Sequence, residues 1–197
     1  MATIFTIGHS TRDLADFSSV LQAHDIRVLE DIRAFPMSRR HPHFNREHLE
    51  LWLPEIGCEY VWEKDLGGRR GKQMPPEESP NIALRNPSFR NYADYMLSEK
   101  FAQAIARLVE RAGKANTAIM CAEQLYFRCH RMLVSDYLVA HGHTVLHIMD
   151  VKPPKPHALT KEARVIDGRL VYRRRLPALS RSRPRMYAVA VFAFLRG

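Results

Sequence analysis

Two hydrophobic periods alternate along most of the chain. Residues 3–7 form a short β-branched and aromatic run stopped by Gly8, the pattern of a buried strand. Ser10, placed as an N-cap with Asp13 three positions on, opens a helical pattern in which Leu14, Phe17, Val20 and Leu21 share one face. Residues 26–32 return to strand composition. Residues 46–56 read as a short helix around Leu49, Trp52 and Leu53 with Gly57 as its stop, and residues 58–62 as a third strand. Residues 65–88 are rich in Gly and Pro and carry no usable period, which predicts a lid or binding loop.

The longest helical pattern covers residues 92–112, with Tyr92, Tyr95, Met96, Phe101, Ile105, Leu108 and Val109 recurring at helical spacing. An apolar strand at 117–121, a helix at 129–140 closed by Gly142 and a strand at 144–149 follow. Asp167-Gly168 between two β-favouring runs predicts a hairpin over residues 165–172. This order predicts a three-layer α/β domain: a mostly parallel, Rossmann-like sheet of about five strands with helices on both faces, because parallel strands need crossover helices, plus a C-terminal β-hairpin. The expected division is one domain over residues 1–172 and a basic, then apolar, extension over residues 173–197.

Charge adds less than it promises. The 197 residues carry 30 Lys plus Arg against 21 Asp plus Glu, a formal +9. Seven of those arginines lie at or beyond Arg173 with no acid among them, so the first 172 residues hold 23 basic against 21 acidic groups, a net of +2. A basic tail of this kind favours polyanions in general and says little about chemistry. Three cysteines make a disulfide framework the wrong expectation and a reducing compartment the natural one. With no signal-peptide pattern and no apolar run of the ~20 residues that a membrane span needs, the expected location is the cytoplasm, without a membrane partner.

In an open parallel sheet, ligands bind beyond the carboxyl ends of the strands. The residues expected there are His9 and Ser10 after the first strand, and Asp31, Arg33, Ser38 and Arg39 at and after the second. Gly67 and Gly68 follow the third, and Cys121, Glu123, Arg128, Cys129, His130 and Arg131 surround the end of the fourth. His9, Asp31, Glu123 and His130 are the acid/base candidates, Cys121 and Cys129 the thiols, and the others the anion and substrate contacts. Each has a plainer role available. A thiol ending a buried strand ordinarily serves as a small hydrophobe, Ser10 can simply cap a helix, and Asp31 and Arg33, on one side of their strand, can pair with each other or hold a substrate. Cys129 stands out, since a helix start and neighbouring cations favour a thiolate.

Three known chemistries fit poorly. A cysteine phosphatase needs Arg six places after its Cys; the sixth place after Cys121 is Phe127, and the first arginine is Arg128. The turn after the first strand lacks G-x-G-x-x-G, so a dinucleotide site is unsupported. A transition metal on Cys121, Cys129 and His130 with His9 or His147 is disfavoured, because adjacent residues such as Cys129 and His130 are not expected to face one ion and no C-x-x-C occurs. The sequence therefore requires no metal and no cofactor.

Thr6-Ile-Gly-His-Ser10, Asp31-Ile-Arg33 with Pro36 and Ser38, Leu66-Gly-Gly68, and Cys121-Ala-Glu123 through Cys129-His-Arg131 resemble the domain-of-unknown-function-488 family of bacteria and archaea. The resemblance implies a small α/β domain with these polar residues in one cleft and assigns no reaction. The expected function is a hydrolase or transferase acting on a small anionic, phosphate-bearing or nucleotide-like substrate. The alternatives are a non-catalytic nucleic-acid or nucleotide binder using the basic loop at 33–46 and the tail, and a Cys/His metal or redox sensor.

Overall fold

In the computed structural model, which describes residues 1–174, β1 (Thr3–Gly8), α1 (Leu14–Ala23), β2 (Val28–Asp31), α2 (Arg46–Glu55) and β3 (Glu59–Trp62) form the first half of the domain. The second half is α3 (Pro87–Tyr95), α4 (Glu99–Ala112), β4 (Thr117–Cys121), α5 (Arg131–Ala140) and β5 (Thr144–His147). The sheet order is β3-β2-β4-β1-β5-β6; the first five strands are parallel, and the two-residue β6 (Lys155–Pro156) adds antiparallel to β5. A separate antiparallel hairpin, β7 (Ala163–Ile166) and β8 (Arg169–Tyr172), closes the described chain. Asp167 (φ 50°) and Gly168 (φ 73°) are both left-handed, as its two-residue turn requires.

Side-chain alternation sends each strand to two cores. Ile7, Leu29, Ala118 and Met120 pack with Phe17, Leu21, Leu49 and Leu53 of α1 and α2. On the other face, Ile4, Ile119 and Val145 pack with Tyr92, Phe101, Leu108, Leu133 and Leu138 of α3, α4 and α5. The expected three-layer α/β architecture is present.

The structure departs from the sequence reading in four places. Helix α1 is capped by Asp13, whose carboxylate accepts from the Asp16 amide at 2.7 Å, not by Ser10. Ser10 has a positive φ of 51° and donates its amide to the Ala122 carbonyl at 3.0 Å. The single helix expected at 92–112 is two helices. Ser98 is extended and accepts from the Phe101 amide to start α4, while the apolar period runs on because both helices pack on one cluster.

The segment expected to be a lid is anchored. Ser79 Oγ and Asn81 Nδ2 each donate to Asp94 Oδ1 at 2.7 Å, Tyr92 donates to the Leu66 carbonyl at 2.7 Å, and Tyr95 to the Asp65 carbonyl at 2.8 Å. Strand β6 has no sequence signal, being two residues with a proline. The arginine-bearing extension lies, beyond Arg174, outside the described residues.

A buried polar chain ties the edge of the sheet to the hairpin. Thr6 Oγ1 meets His147 Nδ1 at 2.7 Å, His147 Nε2 meets His157 Nδ1 at 2.9 Å, and His157 Nε2 meets Asp136 Oδ1 at 3.0 Å. Asp136 also accepts from Thr160 Oγ1 and from the Tyr172 hydroxyl. Among the described residues, no helix is long and apolar enough to cross a membrane.

Candidate functional site

Strands β1 and β4 are neighbours, but α1, following β1, lies on one face of the sheet and α5, following β4, on the other. Adjacent strands with diverging connections leave a crevice at their carboxyl ends. Here it is a cleft of about 350 Å³ lined by segments 9–11, 33–41 and 122–124, with His9 and Arg33 among its lining. Gly8 permits the close approach of the first and third segments: a Cβ there would lie 2.1 Å from the Glu123 carbonyl oxygen.

Arg33 and Asp31 hold each other. Arg33 Nε donates to both Asp31 oxygens at 2.9 and 3.0 Å, and its NH2 reaches Asp31 Oδ2 at 2.5 Å and the Phe44 carbonyl at 2.7 Å. Tyr60 donates its hydroxyl to the same carboxylate at 2.7 Å, and Trp62 Nε1 donates to the Arg33 carbonyl at 3.0 Å. The remaining guanidinium nitrogen, NH1, lies 3.3 Å from His9 Nε2. His9 Nδ1 lies 3.0 Å from the Ser10 carbonyl, so its proton belongs on Nδ1, and Nε2 accepts from Arg33. Phe44 stacks on the His9 ring at 4.2 Å. Burial, reinforced by the Arg33 charge, pushes the His9 pKa down to about 3 and keeps the ring neutral.

A second cluster sits on the opposite side of the sheet, under α3 and α5. Cys121, Cys129 and His130 bring two sulfurs and a ring nitrogen within 4.8 Å of one another. Cys129 Sγ is 3.4 Å from His130 Nδ1, and His130 Nε2 donates to the Ile32 carbonyl at 3.0 Å. The neighbouring Cys121 thiol pulls the Cys129 thiol pKa down, with Arg131 adding to the effect, while the same contact and burial push that of Cys121 up. Of the two thiols, Cys129 is thus the more readily deprotonated.

The residues expected in one cleft are therefore divided. His9, Ser10, Arg33, Ser38 and Glu123 line the cleft on the α1/α2 side. Cys121, Cys129 and His130 form the cluster on the other side, and Gly68 packs on His130. Gly67 instead meets the backbone of Lys64 and Ala34. Asp31 is fully buried as the partner of Arg33. Glu123 is exposed, and its carboxylate accepts from the Leu125 amide at 3.0 Å. Arg131 is buried, and its NH2 donates to the carbonyls of Glu123 and Gln124, which staples this loop. Arg39 and Arg128 are exposed and do not line the cleft.

Sequence reasoning missed Tyr60, Phe44 and Trp62 as supports, since the register that sets Asp31 beside Trp62 forms only on pairing of β2 with β3. Phe35 and Met37, exposed at the cleft, carried a signal as apolar residues inside a basic loop.

These buried groups predict a pH response. Burial holds His147, like His9, at about 3, and pushes Glu30 up to about 7 against the pull of Arg111. Between pH 6.5 and 4.5 the unfolded chain binds a proton on each of these histidines that the folded chain leaves off, so each contributes stability that is lost as pH falls, and Glu30, protonated in the folded chain, opposes them. Below 4.5 unfolded Glu30 is protonated too and its opposition vanishes. The loss of stability between pH 6.5 and 4.5, read from urea titrations, is expected to be smaller in a His9→Asn protein than in the wild type by the contribution of one proton. An equal loss in both proteins would contradict this.

Comparison with curated proteins and with solved structures returns no match. The family described as "Domain of unknown function DUF488" matches residues 13–138, which include Asp31, Arg33, Cys121, Cys129 and His130 and leave His9 just outside. By this match over more than half of its length, the chain belongs to the DUF488 family.

Proposed function

We propose that this protein is a hydrolase or transferase whose cleft at the ends of β1, β2 and β4 takes a phosphate-bearing or nucleotide-like substrate. One observation carries the reading: the cleft combines a buried Arg33–His9 pair with an exposed apolar rim of Phe35 and Met37. A volume of about 350 Å³ lies within the range of small-molecule sites. Arg33 NH1, the guanidinium nitrogen without a carboxylate or carbonyl partner, and the Ser10 and Ser38 hydroxyls supply donors for phosphate oxygens. Phe35 offers a face on which a base can stack. Glu123, at the rim, is the carboxylate placed to accept a proton.

The test uses nucleoside monophosphates and p-nitrophenyl phosphate esters, with unfolding temperature and product release as readouts. Ligand is expected to raise the unfolding temperature of the wild type, and Ser38→Ala/His41→Ala and Phe35→Ala to weaken that effect at least tenfold in concentration. No shift at millimolar ligand, or one that survives both variants, would remove the reading. Salt-sensitive binding of single-stranded oligonucleotides without turnover, lost in Arg39→Ala/Arg40→Ala, would replace it with non-catalytic nucleic-acid binding.

A further inference from the structure

We propose that Cys121, Cys129 and His130 form a binding site for Zn²⁺ or a similarly thiophilic divalent ion, which clips both ends of the loop bordering the cleft. Ligands of a tetrahedral zinc with S and N donors stand about 3.5–3.8 Å apart, given bond lengths of about 2.3 and 2.0 Å. The three donor atoms lie within 4.8 Å of one another, and the Cys129 Sγ to His130 Nδ1 separation is 3.4 Å. Small side-chain adjustments therefore complete the geometry.

The objection that neighbouring residues do not face one ion is met by the backbone. Cys129 is extended (φ −128°, ψ 154°) and His130 helical (φ −59°, ψ −16°). This change of conformation at the start of α5 turns both side chains to the same side.

The surroundings prepare His130 as a ligand. Its Nε2 proton is committed to the Ile32 carbonyl at 3.0 Å, which leaves the Nδ1 lone pair free, the outer-shell arrangement that orients metal-bound histidines. A Cβ on Gly68 would lie 2.3, 2.6 and 2.8 Å from Nδ1, Cγ and Cε1. Those three distances put Gly68 above the ring face, so the in-plane direction of the lone pair stays open.

Among the described residues no fourth His, Cys, Asp or Glu joins the cluster. Three protein ligands with a position left for water or a substrate atom is a known zinc pattern. On binding, the ion displaces the thiol protons to solvent, with no change of oxidation state.

Cys121 ends β4 and Cys129–His130 precede α5, so one ion closes the intervening loop, three residues of which line the cleft. Closing a loop of this kind removes chain entropy from the unfolded state. The site stands independently of the substrate reading above, because it is made on the other side of the sheet.

The test is carried out on the full chain, reduced and without a histidine tag. Zn²⁺ is expected to bind at one per chain, to raise the unfolding temperature, and to protect Cys121 and Cys129 from alkylation, as located by mass spectrometry. Co²⁺ is expected to give thiolate charge-transfer absorption and the visible bands of a tetrahedral ion. Cys121→Ser and Cys129→Ser should each weaken binding at least a hundredfold, while Cys58→Ala, a buried thiol on the other side of the sheet, should not. Should the serine variants fail to fold, the cobalt spectrum and the alkylation pattern of the wild type decide. No stoichiometric ion, no thiolate band, or a Cys121–Cys129 disulfide that forms in air even with Zn²⁺ present would overturn the proposal, the last in favour of a redox pair.

Discussion

Replacing Asp31 with alanine is expected to lower the unfolding free energy by about 3–5 kcal/mol, the loss found when one partner of a buried ion pair is removed. In a domain of this size that is a fall of about 6–20 °C in unfolding temperature. The carboxylate is fully buried and accepts from the Arg33 side chain, from the Arg33 amide at 2.9 Å and from the Tyr60 hydroxyl at 2.7 Å. Alanine leaves a guanidinium in the interior with only a carbonyl and a neutral imidazole beside it, and strands the tyrosine hydroxyl. The Arg27–Asp25 pair is the control. It is nearly as short, at 2.6 Å, but both side chains are more than half exposed, so Asp25→Asn, which keeps a residue type suited to the positive φ of 49° there, should cost about 1 kcal/mol or less. Paired urea titrations measure both. If Asp31→Ala cost no more than Asp25→Asn, the pair would not be holding the second strand's end in place.

Gly8→Ala is expected to have a comparable effect by a different route. The backbone at Gly8 is not left-handed, so alanine can adopt it; the obstacle is space. The new methyl would lie 2.1 Å from the Glu123 carbonyl oxygen and 2.7 Å from Gln124 Cα, both main-chain atoms. They cannot step aside cheaply, because His9 and Ser10 donate their amides to the carbonyls of Cys121 and Ala122 at 3.0 Å and Arg131 holds the carbonyls of Glu123 and Gln124. Overpacking ordinarily costs about 1–3 kcal/mol, and an overlap with fixed backbone belongs at the upper end or beyond. Gly71→Ala, where a Cβ meets nothing within 4 Å, should be nearly neutral. Because the displaced loop borders the cleft and connects the ligands of the proposed metal site, Gly8→Ala should also weaken zinc binding. Wild-type stability in this variant would show that the loop does not press on β1.

The two clusters are linked through that loop although the sheet separates them. Arg131, buried beside the thiols, fastens the Glu123–Gln124 backbone, and the same residues face the cleft with His9 and Arg33. An ion on one side would thus fix a wall of the cleft on the other.

What the chain determined alone is local. The apolar runs of β1, β4 and β5, the period of α2 with Gly57 beyond it, and the Asp167-Gly168 turn each depend on residues a few positions apart, and each was legible. Alternation also set Asp31 and Arg33 on one side of β2. Their pairing with each other is braced by Tyr60 and Phe44, which arrive from elsewhere in the chain.

Side and distance were decided only by the fold. Alternation says that neighbours in a strand point opposite ways, but not which parity meets which helical layer; that depends on strand order and on the face each crossover takes. Cys121 therefore read as part of the same cleft as His9 until packing sent it beneath α3 and α5. The facing of Cys129 and His130 likewise depends on a change of backbone conformation between them, imposed where the loop meets α5. Residue types that carry chemistry are written in the sequence, whereas their convergence is a long-range property that pairing and packing create.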